Sequence, residues 1–159
     1  INPNPHRALP PMKAAKAVLL ARENVANAIG AKPQEIYFTS GGSEADNWAI
    51  RSSALSGAKK NKRHIVTSSF EHHAVLNSCA AIERLGYPVA YIRPDQNGVV
   101  TADILEKHIT AQTHLVSVMF ANNEIGRIQP IGELCKIAHD HEALFHTDAV
   151  QAVGHIRII

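Results

Sequence analysis

Two cysteines, Cys79 and Cys135, are all that the 159 residues contain, too few to imply a disulfide framework. Long apolar runs are missing too. No stretch approaches the roughly 18 residues that suggest a membrane-spanning helix, and no segment reads as a signal peptide. There is no low-complexity tract and no evident repeat. Charge of one sign is scarcely in excess: the formal net charge is +2, so nothing calls for nucleic acid or an anionic membrane as a partner. The basic run Lys59, Lys60, Lys62 and Arg63 has no aromatic residues interleaved with it and reads as a solvated loop. What is present is 45% hydrophobic residues over one domain's worth of chain, long enough to bury roughly two thirds of its unfolded surface. A cytoplasmic globular protein is the expectation.

The hydrophobic pattern alternates between two periods. Met12 to Ile29 carries Val18, Arg22, Val25 and Ile29 near helical spacing and stops at Gly30, a good residue just past a helix end. Ile36 to Thr39 reads as a short strand. Ser43 is placed to cap a helix that runs through Trp48, Ile50 and Leu55 to Gly57. His64 to Ser68 reads as strand, Ala74 to Leu85 as helix closed by Gly86, and Val89 to Ile92 as strand. Asp95-Gln96-Asn97-Gly98 is a turn signal, after which Thr101 caps a short helix carrying Ile104, Leu105 and Ile109. Leu115 to Phe120 is nearly continuous apolar sequence, the mark of a strand covered on both faces. A helix over Ile131, Leu134, Cys135 and Ala138 then leads to a last strand at Leu144 to Thr147. Strands alternating with helices predict the α/β class, a mainly parallel sheet with helices on both faces.

Chemistry concentrates where strands end. The strand-like Glu35 to Ser40 runs into Gly41-Gly42-Ser43 and a helix start, where free backbone amides and the positive end of the helix dipole suit a phosphate. A tight turn with a serine cap explains the same residues. A serine nucleophile elbow is the rival reading, although Ala45 stands where that motif wants its last glycine. His72, in Glu71-His72-His73, follows a strand and could stack on an aromatic ring, or be an ordinary loop residue. Adjacent histidines at a strand end point to opposite sides and do not readily share a metal. His139 and His141, flanking Asp140, look like solvated charges at a helix end. His146 and Asp148 could offer two metal ligands, but no third is spaced for it, so no metal site is expected.

Asn122-Asn123-Glu124-Ile125-Gly126 lies at the mouth of the apolar strand, as ligand contacts or as a turn. Asp148 follows the last strand. Its carboxylate at ~4 Å from a protonated ring nitrogen would gain about 4 kcal/mol of gross attraction at an effective dielectric of ~20. Capping the next turn is the plain alternative. Gln151, three residues on, reaches the same ligand if the segment turns helically. Cys79 and Cys135 sit among Ala, Leu and Ile in helical patterns and read as small buried hydrophobes, not nucleophiles.

Four ordered blocks carry a resemblance: Phe38 to Asn47, Glu71-His72-His73-Ala74-Val75, Val116 to Gly126, and His146 to Gly154. Together they closely resemble the NifS/IscS-like cysteine desulfurases, pyridoxal-phosphate enzymes of the class V aminotransferase family with the fold-type I architecture. The resemblance implies that Gly42 and Ser43 bind the cofactor phosphate and that His72 stacks on the pyridine ring as the catalytic residue present here. It further implies that Asn123 contacts cofactor or substrate carboxylate, that Asp148 pairs with the pyridinium nitrogen and that Gln151 bonds the ring hydroxyl. The implied reaction takes sulfur from L-cysteine as a persulfide on an enzyme cysteine and releases L-alanine. Implied partners are L-cysteine, a sulfur-acceptor or iron-sulfur scaffold protein, and a second copy in a homodimer.

The family's Schiff-base lysine belongs to a Ser-x-His-Lys motif after the Asp148 segment, and none of the eight lysines here lies in such a motif. The persulfide cysteine, the substrate-binding arginine, the C-terminal small domain and the family's N-terminal segment are likewise not in the sequence. Ser43 stands where threonine is commoner. The expectation is that residues 1–159 form a partial cofactor-binding large domain, inactive alone, with an exposed sheet edge that favours self-association. A selenocysteine lyase of the same family, a non-catalytic scaffold remnant and an α/β serine hydrolase using Ser43 are the alternatives.

Overall fold

The side-chain alternation of the strands decides which helices cover each face of the sheet. The computed structural model describes residues 11–156. Four strands, β1 (His64–Ser68), β2 (Val89–Ile92), β3 (Thr113–Ser117) and β4 (Leu144–His146), lie parallel in the order β2-β1-β3-β4. Ile65 pairs with Leu115, and both face α2 (Gly42–Lys59) and α3 (His73–Glu83), packing with Ile50, Ala54, Val75, Cys79 and Ile82. Val66 pairs with Val116 and faces the other way, toward α4 (Ala102–Glu106) and α5 (Ile131–Asp140), where Leu105, Leu134 and Ala138 meet them. Every residue of β3 is buried, as a strand sandwiched between two helical layers requires. Each fully buried Ile, Leu or Val contributes about 1.5–3 kcal/mol.

The connections put a crevice at one place. From β1 the chain crosses through α3 to β2 on one side; from β3 it crosses through α5 to β4 on the other. Loops leaving the carboxyl ends of the adjacent strands β1 and β3 therefore diverge, and ligands in open α/β sheets bind at such a switch point.

All of this lies in one compact unit, residues 39–155. The other unit contains α1 (Pro11–Ile29), which stops at Gly30 with φ +70°, where Ala31 N–H returns to the Ala26 carbonyl at 2.9 Å. A single 3-10 turn at Pro33–Glu35 follows, and Arg22 Nε donates to the Ile36 carbonyl at 3.0 Å with its guanidinium 5.3 Å from the Phe38 ring centre.

Several sequence expectations shift. Ile36 to Thr39 is not a strand: Ile36 is extended, but no described strand pairs with the segment, so its β-branched and aromatic residues meet no ladder. Gly41, not Ser43, is the N-cap of α2, and Ser43 lies inside the first turn. That helix passes Gly57 and ends at Lys59, with Asn61 at φ +61° turning the chain. Gly57 is needed for space instead, because a Cβ there would strike the Lys62 carbonyl and the buried His114 ring. β3 ends at Ser117, earlier than Phe120, and β4 ends at His146. The backbone nonetheless continues to pair, with Val118 N–H on the His146 carbonyl and Phe120 N–H on that of Asp148. α4 stops at Glu106, and Ile109 joins the core from beyond it.

Candidate functional site

The site begins at the first turn of α2. Ala45 N–H makes the first intrahelical bond, to the Gly41 carbonyl at 3.1 Å, so the amides of Gly42, Ser43 and Glu44 have no carbonyl within the helix to donate to. Glu44 folds back to accept Ser40 N–H at 2.6 Å and the Ser40 hydroxyl at 2.7 Å. These bonds hold its carboxyl below the usual range, the backbone bond being the larger cause. The loop ahead of the cradle is thereby pinned. Gly42 is close-packed: a Cβ would sit 2.9 Å from Val150 Cγ2, whereas one at Gly41 meets nothing within 4 Å. The second of the pair is thus the more tightly packed.

After β1, the Glu71-His72 segment is tied to the exit of β3. Glu71 is buried, and its Oε1 accepts both Met119 N–H, at 2.9 Å, and the Ser68 hydroxyl. Its Oε2 is buried without a partner among the described residues. Burial pushes this carboxyl up to about 7 despite those two bonds, with Asp148 and Asp46 adding to the rise. Next to it His72 caps α3, its Nδ1 accepting Ala74 N–H at 3.1 Å, so the ring proton sits on Nε2.

After β4, period-two alternation puts His146 and Asp148 on the same side of the chain. Asp148 Oδ1 accepts Val150 N–H at 3.0 Å, which leaves Oδ2 for the cleft. The capping and ligand readings of Asp148 are therefore compatible. His146 is bracketed: the Ser117 hydroxyl lies 2.9 Å from Nδ1, and Asp46 Oδ1 lies 3.6 Å from Nε2. The separation is that of an ion pair, yet burial works against charge on both partners. It lowers His146, with Asp148 opposing, and pushes Asp46 up to about 6, with Asp148 adding to the rise and His72 opposing it. The contact is best described as an imidazole N–H facing a carboxyl.

These segments enclose a cavity of about 270 Å³ lined by Gly42, Ser43, Asp46, His72, Asn123 and Asp148, with Gln151, Val150, Met119 and Ala121 completing the wall. All six residues singled out from sequence, Gly42, Ser43, His72, Asn123, Asp148 and Gln151, line this one cavity. The two asparagines divide the alternatives between them. Asn122 is buried and builds the turn, giving Nδ2 to the Phe70 carbonyl and accepting Glu124 and Ile125 N–H, while Asn123 is exposed to the cleft. Sequence reasoning missed Asp46. The available signal was its spacing of four from Gly42, which puts both on one helical face.

Asp46, His72 and Asp148 bring ligating atoms within 4.8 Å of one another, a set that sequence spacing did not reveal. It is a poor metal site. His72 Nδ1 is occupied by Ala74 N–H and Nε2 carries the proton, so neither ring nitrogen offers a free lone pair. Nor is Ser43 equipped as a nucleophile, since no hydrogen bond among the described residues joins its hydroxyl to a histidine. Of the two cysteines, Cys79 is buried and pushed up to about 12, mainly by burial, as expected. Cys135 is half-buried, with Sγ 3.8 Å from His139 Nε2, and so is not the buried hydrophobe expected.

Helix-start amides without intrahelical partners, an imidazole and two carboxyls thus line one cavity at the switch point of a parallel α/β sheet. The aminotransferase class-V family profile matches residues 1–159, and the chain belongs to that family. It is 54% identical over 142 residues to the cysteine desulfurase IscS of Methanosarcina thermophila, covering 89% of this chain and 35% of that protein. To the cysteine desulfurase IscS of Clostridium botulinum (strain Hall) it is 51% identical over 146 residues, 92% of this chain and 36% of that one. The chain thus spans about a third of the length of these relatives. Among solved structures, DndA from Streptomyces lividans superposes with a TM-score of 0.88 at 35% identity, covering 92% of this chain and 41% of that one. A structure of SspA in complex with cysteine gives 0.84 at 41% identity, covering 89% and 40%. The parallel α/β architecture expected from sequence is the architecture of these neighbours.

Proposed function

We propose that the chain is the cofactor-binding part, within the large domain, of a pyridoxal-phosphate-dependent cysteine desulfurase. The observation that carries this reading is the polarity of the cleft. At one end stand the unpaired amides of α2 and the Ser43 hydroxyl; at the other stands Asp148, with one oxygen uncommitted. Pyridoxal phosphate has the matching polarity, a dianionic phosphate and a ring nitrogen that takes a proton, so the donor set fits it. Among the described residues no helix is long and apolar enough to cross a membrane, which is compatible with the cytoplasmic setting included in the proposal.

Each residue has a definable task. Gly42 admits the phosphate against α2, and Ser43 adds a hydroxyl donor. His72, oriented by its cap to α3 and by the Glu71 tie to β3, covers one face of the ring. Asp148 keeps the ring nitrogen protonated, and Gln151 meets the ring hydroxyl. Asn123 orients the substrate carboxylate or the cofactor. The bound group supplies an electron sink for the bonds at the amino-acid α-carbon. L-cysteine is the proposed substrate and L-alanine the product. A sulfur-acceptor or iron-sulfur scaffold protein is the proposed recipient, and the working unit is a homodimer.

No lysine lines the cavity, and neither cysteine does. The 159-residue chain by itself should therefore bind pyridoxal phosphate reversibly, with no adduct fixed by borohydride and no alanine formed from L-cysteine. Isothermal titration, intact mass after reduction and alanine assay test this. A site-specific reduced adduct or alanine turnover would overturn the assignment of tasks, and absence of any binding would overturn the cofactor reading.

A further inference from the structure

The task list leaves one buried acid in the cleft unused. Asp46 lies in the second turn of α2, is 4% exposed and lines the cavity. It serves no cap, since α2 has no side-chain capping bond, and its Oδ1 lies 3.6 Å from His146 Nε2. Its carboxyl shares a space of 4.8 Å with Asp148 and His72. A carboxyl placed out of water beside a second one is unfavourable on both counts, and Asp46 is pushed up to about 6 as a result. Glu71 nearby is raised in part by Asp46. Two acids facing one another across a cleft are relieved when a cation arrives at their end.

We propose that Asp46 is a specificity determinant of this cleft, a second carboxyl that with Asp148 selects a ligand whose ring nitrogen is protonated over the same ligand lacking that charge. The inference rests on the cofactor reading above and adds to it a residue and a selectivity. Asp148 meets the nitrogen directly. Asp46 supplies charge from behind, held by His146, whose other nitrogen is anchored on Ser117 from the buried strand β3. The groups facing Asp46 are then Asp148 and His146 from the β4 end and His72 from the start of α3.

The test uses the 159-residue chain, with pyridoxal phosphate and its 1-deaza analogue, in which a ring CH replaces the nitrogen, as probes in isothermal titration at pH 8. Asp46→Asn keeps the shape and removes the charge. It should weaken pyridoxal phosphate at least about tenfold, a fraction of the gross attraction of a charge several Å away at an effective dielectric of ~20, and leave the deaza analogue within about twofold of wild type by the same reasoning. Asp46→Glu, which restores the charge, should recover a preference for the nitrogen-bearing ring. Thermal melting of the ligand-free Asn variant should be unchanged or higher, because repulsion from Asp148 is removed. Where the wild type binds pyridoxal phosphate, equal weakening of both ligands in Asp46→Asn, or an unchanged preference in that variant, overturns the Asp46 inference alone. Failure of the wild type to bind either ligand overturns the cofactor reading and this inference with it.

Discussion

Glu71→Gln should make the protein more stable at neutral pH, although the residue replaced is buried and hydrogen-bonded. In wild type one oxygen accepts from Met119 N–H and the Ser68 hydroxyl, and the other is buried without a partner. The glutamine carbonyl can keep both accepted bonds, while its amide occupies the unpartnered position as the acid's own hydroxyl does. Any fixed cost of that exchange is the same at every pH. What differs is ionisation. The carboxyl rises from 4.5 to about 7 on folding; at 1.36 kcal/mol per pH unit this corresponds to about 3 kcal/mol. Because the folded state holds the proton more tightly, the contribution of Glu71 to wild-type stability is greatest below pH 4.5, falls between pH 4.5 and about 7, and levels off above. Urea unfolding followed by circular dichroism at several pH values would measure both proteins. The stability of Glu71→Gln relative to wild type should climb by about 3 kcal/mol across that window. A difference that stays constant from pH 4.5 to 8 would refute the reasoning, since it would mean that Glu71 folds without a change in proton affinity.

Two further outcomes follow from packing and exposure. Gly57→Ala drives a Cβ into the Lys62 carbonyl and the His114 ring and should cost about 3 kcal/mol or more in urea unfolding, because backbone cannot yield as a flexible side chain does. Gly41→Ala, with nothing within 4 Å, is the control and should stay within about 1 kcal/mol. Iodoacetamide at pH 8 should label Cys135 and spare Cys79, whose thiol is fully buried and raised to about 12; intact mass should show one adduct on the native chain and two after denaturation.

The sheet was legible because burial enforces period. Leu115 to Ser117 has to be apolar or small where helices cover both faces, and that signal survived in the sequence. Ile36 to Thr39 has the composition of a strand but pairs with no strand among the described residues, and composition does not record partners. Helix ends were less legible, since Gly57 reads as a terminator yet serves as a gap for His114. In the site, glycine, serine, histidine and aspartate at strand ends pointed to the cleft. Asp46 and Glu71 escaped notice because their roles depend on contacts made across the fold, to His146, Asp148 and Met119, which no local spacing contains.

The central claim is that one cleft holds a phosphate at α2 and a cationic ring nitrogen at Asp148. Titrating the chain and its Asp148→Asn variant with pyridoxal phosphate and with inorganic phosphate tests both ends together. Asp148→Asn should weaken pyridoxal phosphate at least about tenfold, a fraction of the gross attraction of about 4 kcal/mol at ~4 Å, and leave inorganic phosphate, competing at the α2 amides, unchanged. Unaltered affinity for pyridoxal phosphate, or equal loss of both ligands, would contradict the account.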